Sequence, residues 1–140
     1  MPILYIFAGV NGAGKSTLTQ SQFNKVIPYE INADEISRRN GRDWQDICLL
    51  YVGLSSAELA IERVKIRVAN GGHGVRKEMI KKRYDRSLNT LYELIRKFDS
   101  VSIYDNSGDS LIRTYQRIDN KHFMTSELPN WSRKIIAHDN

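Results

Sequence analysis

The sequence predicts an α/β domain with a mostly parallel sheet and a β-hairpin towards its C-terminal end. Three observations carry that prediction. Apolar runs of strand length alternate with segments whose apolar residues recur every three or four positions. The helical segments are long enough to serve as crossovers, which pair the strands they join in parallel. One core in one domain, 1–140, suffices for 140 residues that are 41% hydrophobic and 26% charged.

Residues 3–8 are apolar, rich in β-branched and aromatic side chains, and closed by Gly9, as in a strand covered on both faces. A glycine-rich turn follows, then a helix-compatible segment from Lys15 to about Lys25, punctuated by Pro28. Residues 29–32 read as a weak second strand. Residues 47–54 read as the strongest strand, bounded by Gly53 and two serines. Ser55-Ser56-Ala57-Glu58 has the form of an N-cap with an acid in the first turn. Leu59, Val64 and Val68 continue at helical spacing until Gly71 and Gly72 stop the helix. A second helix is expected from about Lys77 to Phe98, with Ile80, Tyr84, Leu88, Leu91, Ile95 and Phe98 as its apolar stripe. Residues 101–104 form another strand, ended by the turn Asp105-Asn106-Ser107-Gly108. Asp119-Asn120 separates 111–118 from 122–125 as a hairpin. Pro129-Asn130-Trp131 opens a short final helix at best.

Composition removes several classes. The single cysteine, Cys48, forms no internal disulfide and reads as a buried, unreactive strand residue. The longest apolar stretch is far below the ~20 residues of a membrane helix. The first residues carry no positive charge ahead of their apolar run, so they do not read as a signal peptide. A cytoplasmic, membrane-free protein is the expectation. Twenty-one Lys+Arg against sixteen Asp+Glu leave a formal charge of +5, which suits an anionic partner. Residues 62–86 hold nine Lys+Arg and three acids, a surplus of six, so the rest of the chain sums to −1.

Gly9-Val10-Asn11-Gly12-Ala13-Gly14-Lys15-Ser16 fits G-x-x-x-x-G-K-[ST] in full, between a strand and a helix. Glycines let successive backbone N–H groups curl around phosphate oxygens, and the helix N-terminus adds partial positive charge. Lys15 is then expected on the β/γ-phosphates, the Ser16 hydroxyl beside Mg²⁺, and Thr17 with the rest of the loop on the nucleotide. ATP and Mg²⁺ are the expected ligands.

Beyond the loop, the chain resembles the zeta-toxin-like family of P-loop kinases. The resemblance rests on that loop and on Asn32-Ala33-Asp34, residues 51–60, Glu62-Arg63-Val64 and Arg67-Val68. Gly71-Gly72-His73, residues 83–89 and residues 104–108 complete it in the family's order. It implies a three-layer P-loop kinase-like fold with a helix-turn-helix lid at about 56–98. It implies transfer of the γ-phosphoryl group of ATP to a small-molecule hydroxyl, such as that of UDP-N-acetylglucosamine. In members that act as toxins it also implies an antitoxin partner. Asp34 matches the acid that accepts the substrate proton; a carboxylate there also suits the cap of a helix starting at Glu35. Among the lid residues Arg63, Arg67, Arg83 and Arg86, the arginines Arg83 and Arg67 are the leading stabilisers of transferring phosphate, against a solvated basic face. Lys77, Lys81 and Lys82 read as solvent-facing, and His73 as a structural turn residue. Asn106 and Gly108 fall where the family has its adenine-side loop, though an ordinary turn accounts for them equally.

The chain departs from the family in its middle. Only twelve residues separate Asp34 from Ile47, so one strand and two helices of the family are missing, with the strand's Phe-Glu-Thr-Thr-like motif. A second carboxylate for Mg²⁺ is lost with them: Asp46 precedes its strand and Glu30 lies within one. The lost strand leaves a rearranged monomer or a sheet edge open to pairing with a second copy. The expected function is therefore a kinase-like phosphotransferase, with a catalytically impaired nucleotide-binding module as the alternative. Nucleic-acid binding ranks last, because the basic stretch has no interleaved aromatics apart from Tyr84.

Overall fold

The computed structural model describes residues 3–15 and 46–140. Ser16, Thr17, Asp34, the weak strand at 29–32 and nearly all of the first expected helix lie outside the described residues. So does the question of an open edge beside that strand.

Strand β1 (Ile3–Ala8) pairs in parallel with β2 (Asp46–Gly53), from Ile3 opposite Asp46 to Ala8 opposite Tyr51. Strand β2 pairs in parallel with β3 (Ser100–Asp105), ending with Gly53 opposite Asp105. Strands β4 (Ile112–Ile118) and β5 (Lys121–Met124) add on antiparallel, in the order β1-β2-β3-β4-β5. The sheet is mixed, and the hairpin forms one end of it. Asp119 and Asn120 have φ of 49° and 65°, the pair of left-handed residues that a tight two-residue hairpin turn needs. Asp46 stands at the start of β2, at the opposite end of the sheet from the glycine-rich loop, as its place in the sequence predicts.

Side-chain alternation splits the sheet residues between two apolar clusters. On one face Leu4, Ile6, Leu49, Tyr51, Val101, Ile103 and Tyr115 pack with Leu91, Ile95, Ile135 and Ile136. On the other, Leu50, Val52 and Tyr104 pack with Val10, Ala13, Ala60, Ile61, Val64 and Ile80. Helix α1 (Ala57–Ala69) covers this second face. It starts where the sequence places it, with the Ser56 hydroxyl accepting the Leu59 N–H at 3.1 Å. Such a cap contributes ~1 kcal/mol.

Helix α2 (Lys77–Leu94), continued by a 3₁₀ turn (Ile95–Lys97), joins both clusters: Ile80 belongs to one, Leu91 and Ile95 to the other. Two hydrogen bonds fix its path. The Tyr84 hydroxyl donates to the Leu54 carbonyl at 2.7 Å, just past the end of β2. Ser87 shares a 2.7 Å bond with the Tyr51 hydroxyl. The helix thus passes the carboxyl end of β2 and runs down the sheet, which carries Arg83 and Arg86 across that end.

Helix α3 (Asn130–Asp139) has ten residues and is more than the short turn expected from Pro129-Asn130-Trp131. Ser132, Ile135, Ile136 and Asp139 are buried at helical spacing, so packing on the sheet supplies what a weak start signal did not. No described helix is long and apolar enough to cross a membrane.

Candidate functional site

The loop at 9–15 leaves the carboxyl end of β1, where ligands of open parallel sheets bind. Its shape depends on glycine at two places above all. Gly9 has φ +149°, and a Cβ there would run into the Val52 carbonyl oxygen. Gly14 has φ +106°, and its Cβ would collide with the Asn106 amide. Between them Gly12 has φ +80°, and Ala13, fully buried, donates its N–H to the Val10 carbonyl at 3.0 Å. The loop is therefore seated on β2 and on the turn after β3, with no room for larger residues at either contact.

Three cations meet beside it. Lys15, Arg83 and Arg86 line one cavity of about 540 Å³ together with Gly9, Val10 and Asn11. Arg83 Nη1 donates to Asn11 Oδ1 at 2.9 Å, which ties α2 to the loop across 72 residues of sequence. The far walls are mostly apolar, with Ile6, Ile47 and Leu49 from the strands and Leu91, Leu94 and Phe98 from the helical side, though Thr90 and a fourth cation, Lys97, also line the cavity. Tyr51 stands between the two ends, and burial pushes its hydroxyl up to about 12, with the Ser87 bond pulling the other way. Burial also raises Tyr84. Both are neutral, hydrogen-bonding phenols at neutral pH.

The other expected residues take distinct places. Arg67, in the last turn of α1, donates to the His73 carbonyl at 2.9 Å and so closes the glycine turn between the helices. Arg63 reaches the Gly108 carbonyl at 3.4 Å, joining α1 to the turn after β3. Neither lines the cavity. His73 is exposed and serves the turn through its backbone, and Lys77, Lys81 and Lys82 are exposed as expected. Asn106 does reach the loop: its Nδ2 donates to the Ala13 carbonyl at 3.0 Å. Cys48 lies in β2 as expected but is half-buried rather than buried, and desolvation raises its thiol.

Sequence reasoning passed over Asp105 and Trp131. The Asp105 carboxylate oxygen Oδ1 accepts from Ser107 Oγ at 2.6 Å and from Trp131 Nε1 at 2.9 Å. Ser107 Oγ in turn accepts the Ser55 N–H at 2.8 Å. A signal was present, since Asp105 ends a strand in an Asp-Asn-Ser-Gly turn. The Trp131 partner, 26 residues on, had none. Among the described residues, no three His, Cys, Asp or Glu side chains gather where they could hold a metal ion.

No family model matches the chain, and neither a curated protein nor a solved structure resembles it significantly.

Proposed function

We propose that this chain is a P-loop kinase-like protein of the zeta-toxin-like type. It binds ATP with Mg²⁺ and transfers the γ-phosphoryl group to a small-molecule hydroxyl, with a sugar nucleotide such as UDP-N-acetylglucosamine as the first acceptor to test. One observation carries the reading: a glycine loop at the carboxyl end of a parallel strand, with Lys15, Arg83 and Arg86 beside it around one cavity. Glycines that leave no space for a Cβ, and cations gathered on the same side, fit a polyphosphate chemically.

In this reading the backbone N–H groups of the loop and Lys15 hold the β- and γ-phosphates. Arg83 and Arg86 supply charge to the equatorial oxygens as they gain negative character. The attacking hydroxyl oxygen forms a bond to the γ-phosphorus while the bond to the ADP oxygen breaks, and the hydroxyl proton passes to the Asp34 carboxylate. Mg²⁺, when bound, neutralises phosphate charge, with Ser16 as its protein ligand. Ser16 and Asp34 enter from the sequence motif, since both lie outside the described residues.

A second reading, an ATP-binding module without turnover, is favoured by Asp105. This acid stands at a strand end on the loop's side of the sheet, and its Oδ1 is taken up by Ser107 and Trp131. Calorimetric titration with Mg–ATP, followed by ADP release with and without acceptor, separates the readings. Lys15→Ala is expected to weaken ATP at least 100-fold in a chain that still folds, as circular dichroism would show. Asp34→Asn is expected to keep binding and abolish turnover. Binding that survives Lys15→Ala sinks both readings, whereas ATP bound but never consumed leaves the second.

A further inference from the structure

We infer that Asn106 is a positioning residue for the phosphate loop, acting through the Ala13 carbonyl, and that Trp131 of α3 holds Asn106 in place. The inference rests on the nucleotide-binding reading above and assigns a device to that same site.

The argument begins with the peptide plane between Ala13 and Gly14. In a trans peptide the carbonyl and the following N–H point in opposite directions, and no cis bond occurs among the described residues. A loop that presents N–H groups to an anion must therefore turn its carbonyls away and satisfy them elsewhere. Ala13 is fully buried, and its carbonyl takes the Asn106 Nδ2 donor at 3.0 Å. Holding that oxygen on the Asn106 side fixes the Gly14 N–H on the opposite one. Gly14 lacks a Cβ at the point where the Asn106 amide stands, so the two residues are shaped to each other. A carboxylate of the same size has no proton to donate and would repel the carbonyl.

Asn106 is itself immobilised from two directions. Its backbone N–H donates to the Gly53 carbonyl at 3.0 Å, at the end of β2. The neighbouring Ser107 links the Ser55 N–H to Asp105, and Trp131 Nε1 binds the same Asp105 oxygen. The Trp131 ring lies against Gly53, where a Cβ would not fit, and 5.9 Å from the Tyr51 ring. The first turn of α3 thus clamps the turn that aims the loop. Asn106 touches loop backbone, which distinguishes this role from contact with an adenine base.

The test uses two probes, Mg–ATP and Mg–tripolyphosphate, titrated into the full chain and into Asn106→Ala, Asn106→Asp and Trp131→Phe. Asn106→Ala is expected to weaken both probes by the same factor, about tenfold, the scale of one hydrogen bond at ~1.4 kcal/mol per decade. Trp131→Phe loses the Nε1 donor and part of the ring surface on Gly53, and is expected to weaken both by at least about threefold. Asn106→Asp is expected to be the weakest at neutral pH. Its gap to the parent should narrow as pH falls towards the carboxyl range near ~4, where a protonated acid can donate to Ala13. A loss confined to ATP, or parallel pH profiles for Asn106→Asp and the parent, overturns the inference and leaves the proposed function standing. Should Asn106→Ala not fold, the Asn106→Asp pH profile decides alone. A parent chain that binds neither probe overturns both.

Discussion

Arg117 and Arg83 each reach a neighbouring element through a guanidinium, but their partners differ in kind. Arg117 Nε donates to both oxygens of Asp139, at 3.1 and 2.9 Å, and the side chains are 11% and 1% exposed. Its terminal nitrogens donate to the carbonyls of Asp99, Ile95 and Phe98 at 2.9–3.2 Å. Tyr115 adds its hydroxyl proton to Asp139 at 2.5 Å, so His122 Nδ1, 2.8 Å from that hydroxyl, is the donor of its own contact. Every charge in that corner is answered inside the protein. Arg83, by contrast, is exposed and bonds a neutral amide, that of Asn11, so its positive charge is not cancelled by that contact. The first arrangement pins α3 to β4; the second holds a cation over a loop. Polar clusters of similar make-up can therefore close a charge inside the fold or leave one uncancelled, and the nature of the partner tells them apart.

The corner can be broken most severely. Asp139→Asn leaves the Arg117 charge buried without its counter-ion, which costs about 3–5 kcal/mol in such pairs. The Asp139 carboxylate also sits at the C-terminal end of α3, where the helix dipole disfavours it, so Arg117 is what makes it tolerable. Urea denaturation should show the loss. ATP affinity of the folded chain should stay unchanged, because the opposite end of α3 carries Trp131. A large fall in ATP affinity at full stability would reverse the assignment of the two regions.

Alkaline pH probes both regions at once through one tyrosine in each. Burial pushes Tyr51, in the cavity wall, up to about 12, while Tyr115 is raised by burial and further by its bond to the Asp139 carboxylate. A tyrosine raised in the folded state from about 10 contributes stability below pH ~10, because the unfolded chain ionises first as pH rises. That stability should fade between about pH 10 and about pH 12, by roughly 3 kcal/mol for Tyr51. Tyr51→Phe should flatten its share of the slope in denaturation curves taken across that window. An unchanged slope would mean that the Ser87 hydrogen bond, and not burial, governs Tyr51.

Local signals were legible and distant pairings were not. The glycine spacing from Gly9 to Gly14 reads directly as a loop with unusual φ values, and Ser56 reads as a cap, because each depends on neighbours within a few residues. The stripe from Ile80 to Ile95 located α2, yet nothing in it said that the helix would cross from one face of the sheet to the other. That path follows from Tyr84 meeting Leu54 and Ser87 meeting Tyr51, contacts 30 and 36 residues apart. Arg67 illustrates the limit from the other side. Its type and place beside the glycine turn suit phosphate, and nothing local announced that one of its guanidinium nitrogens would bond the His73 carbonyl six residues on. Asp105 was passed over because its partners are Ser107 in the turn and Trp131 at the head of a helix with a weak start signal.

The mildest change sharpens the comparison from the binding side. Arg83→Gln removes the charge and keeps a polar amide, but one two bonds shorter than the guanidinium, so the exposed Asn11 contact is loosened along with the loss of the cation. Mg–ATP affinity should fall about tenfold, ~1.4 kcal/mol, and the salt dependence of binding should flatten with it. Stability should stay within about 0.5 kcal/mol, as for an exposed substitution that breaks no buried contact. If Arg83→Gln instead lowered stability and left ATP affinity alone, Arg83 would belong with Arg117 as a fastening between elements. The Asn11 contact would then be the purpose of the residue, and the cation over the loop a by-product of it.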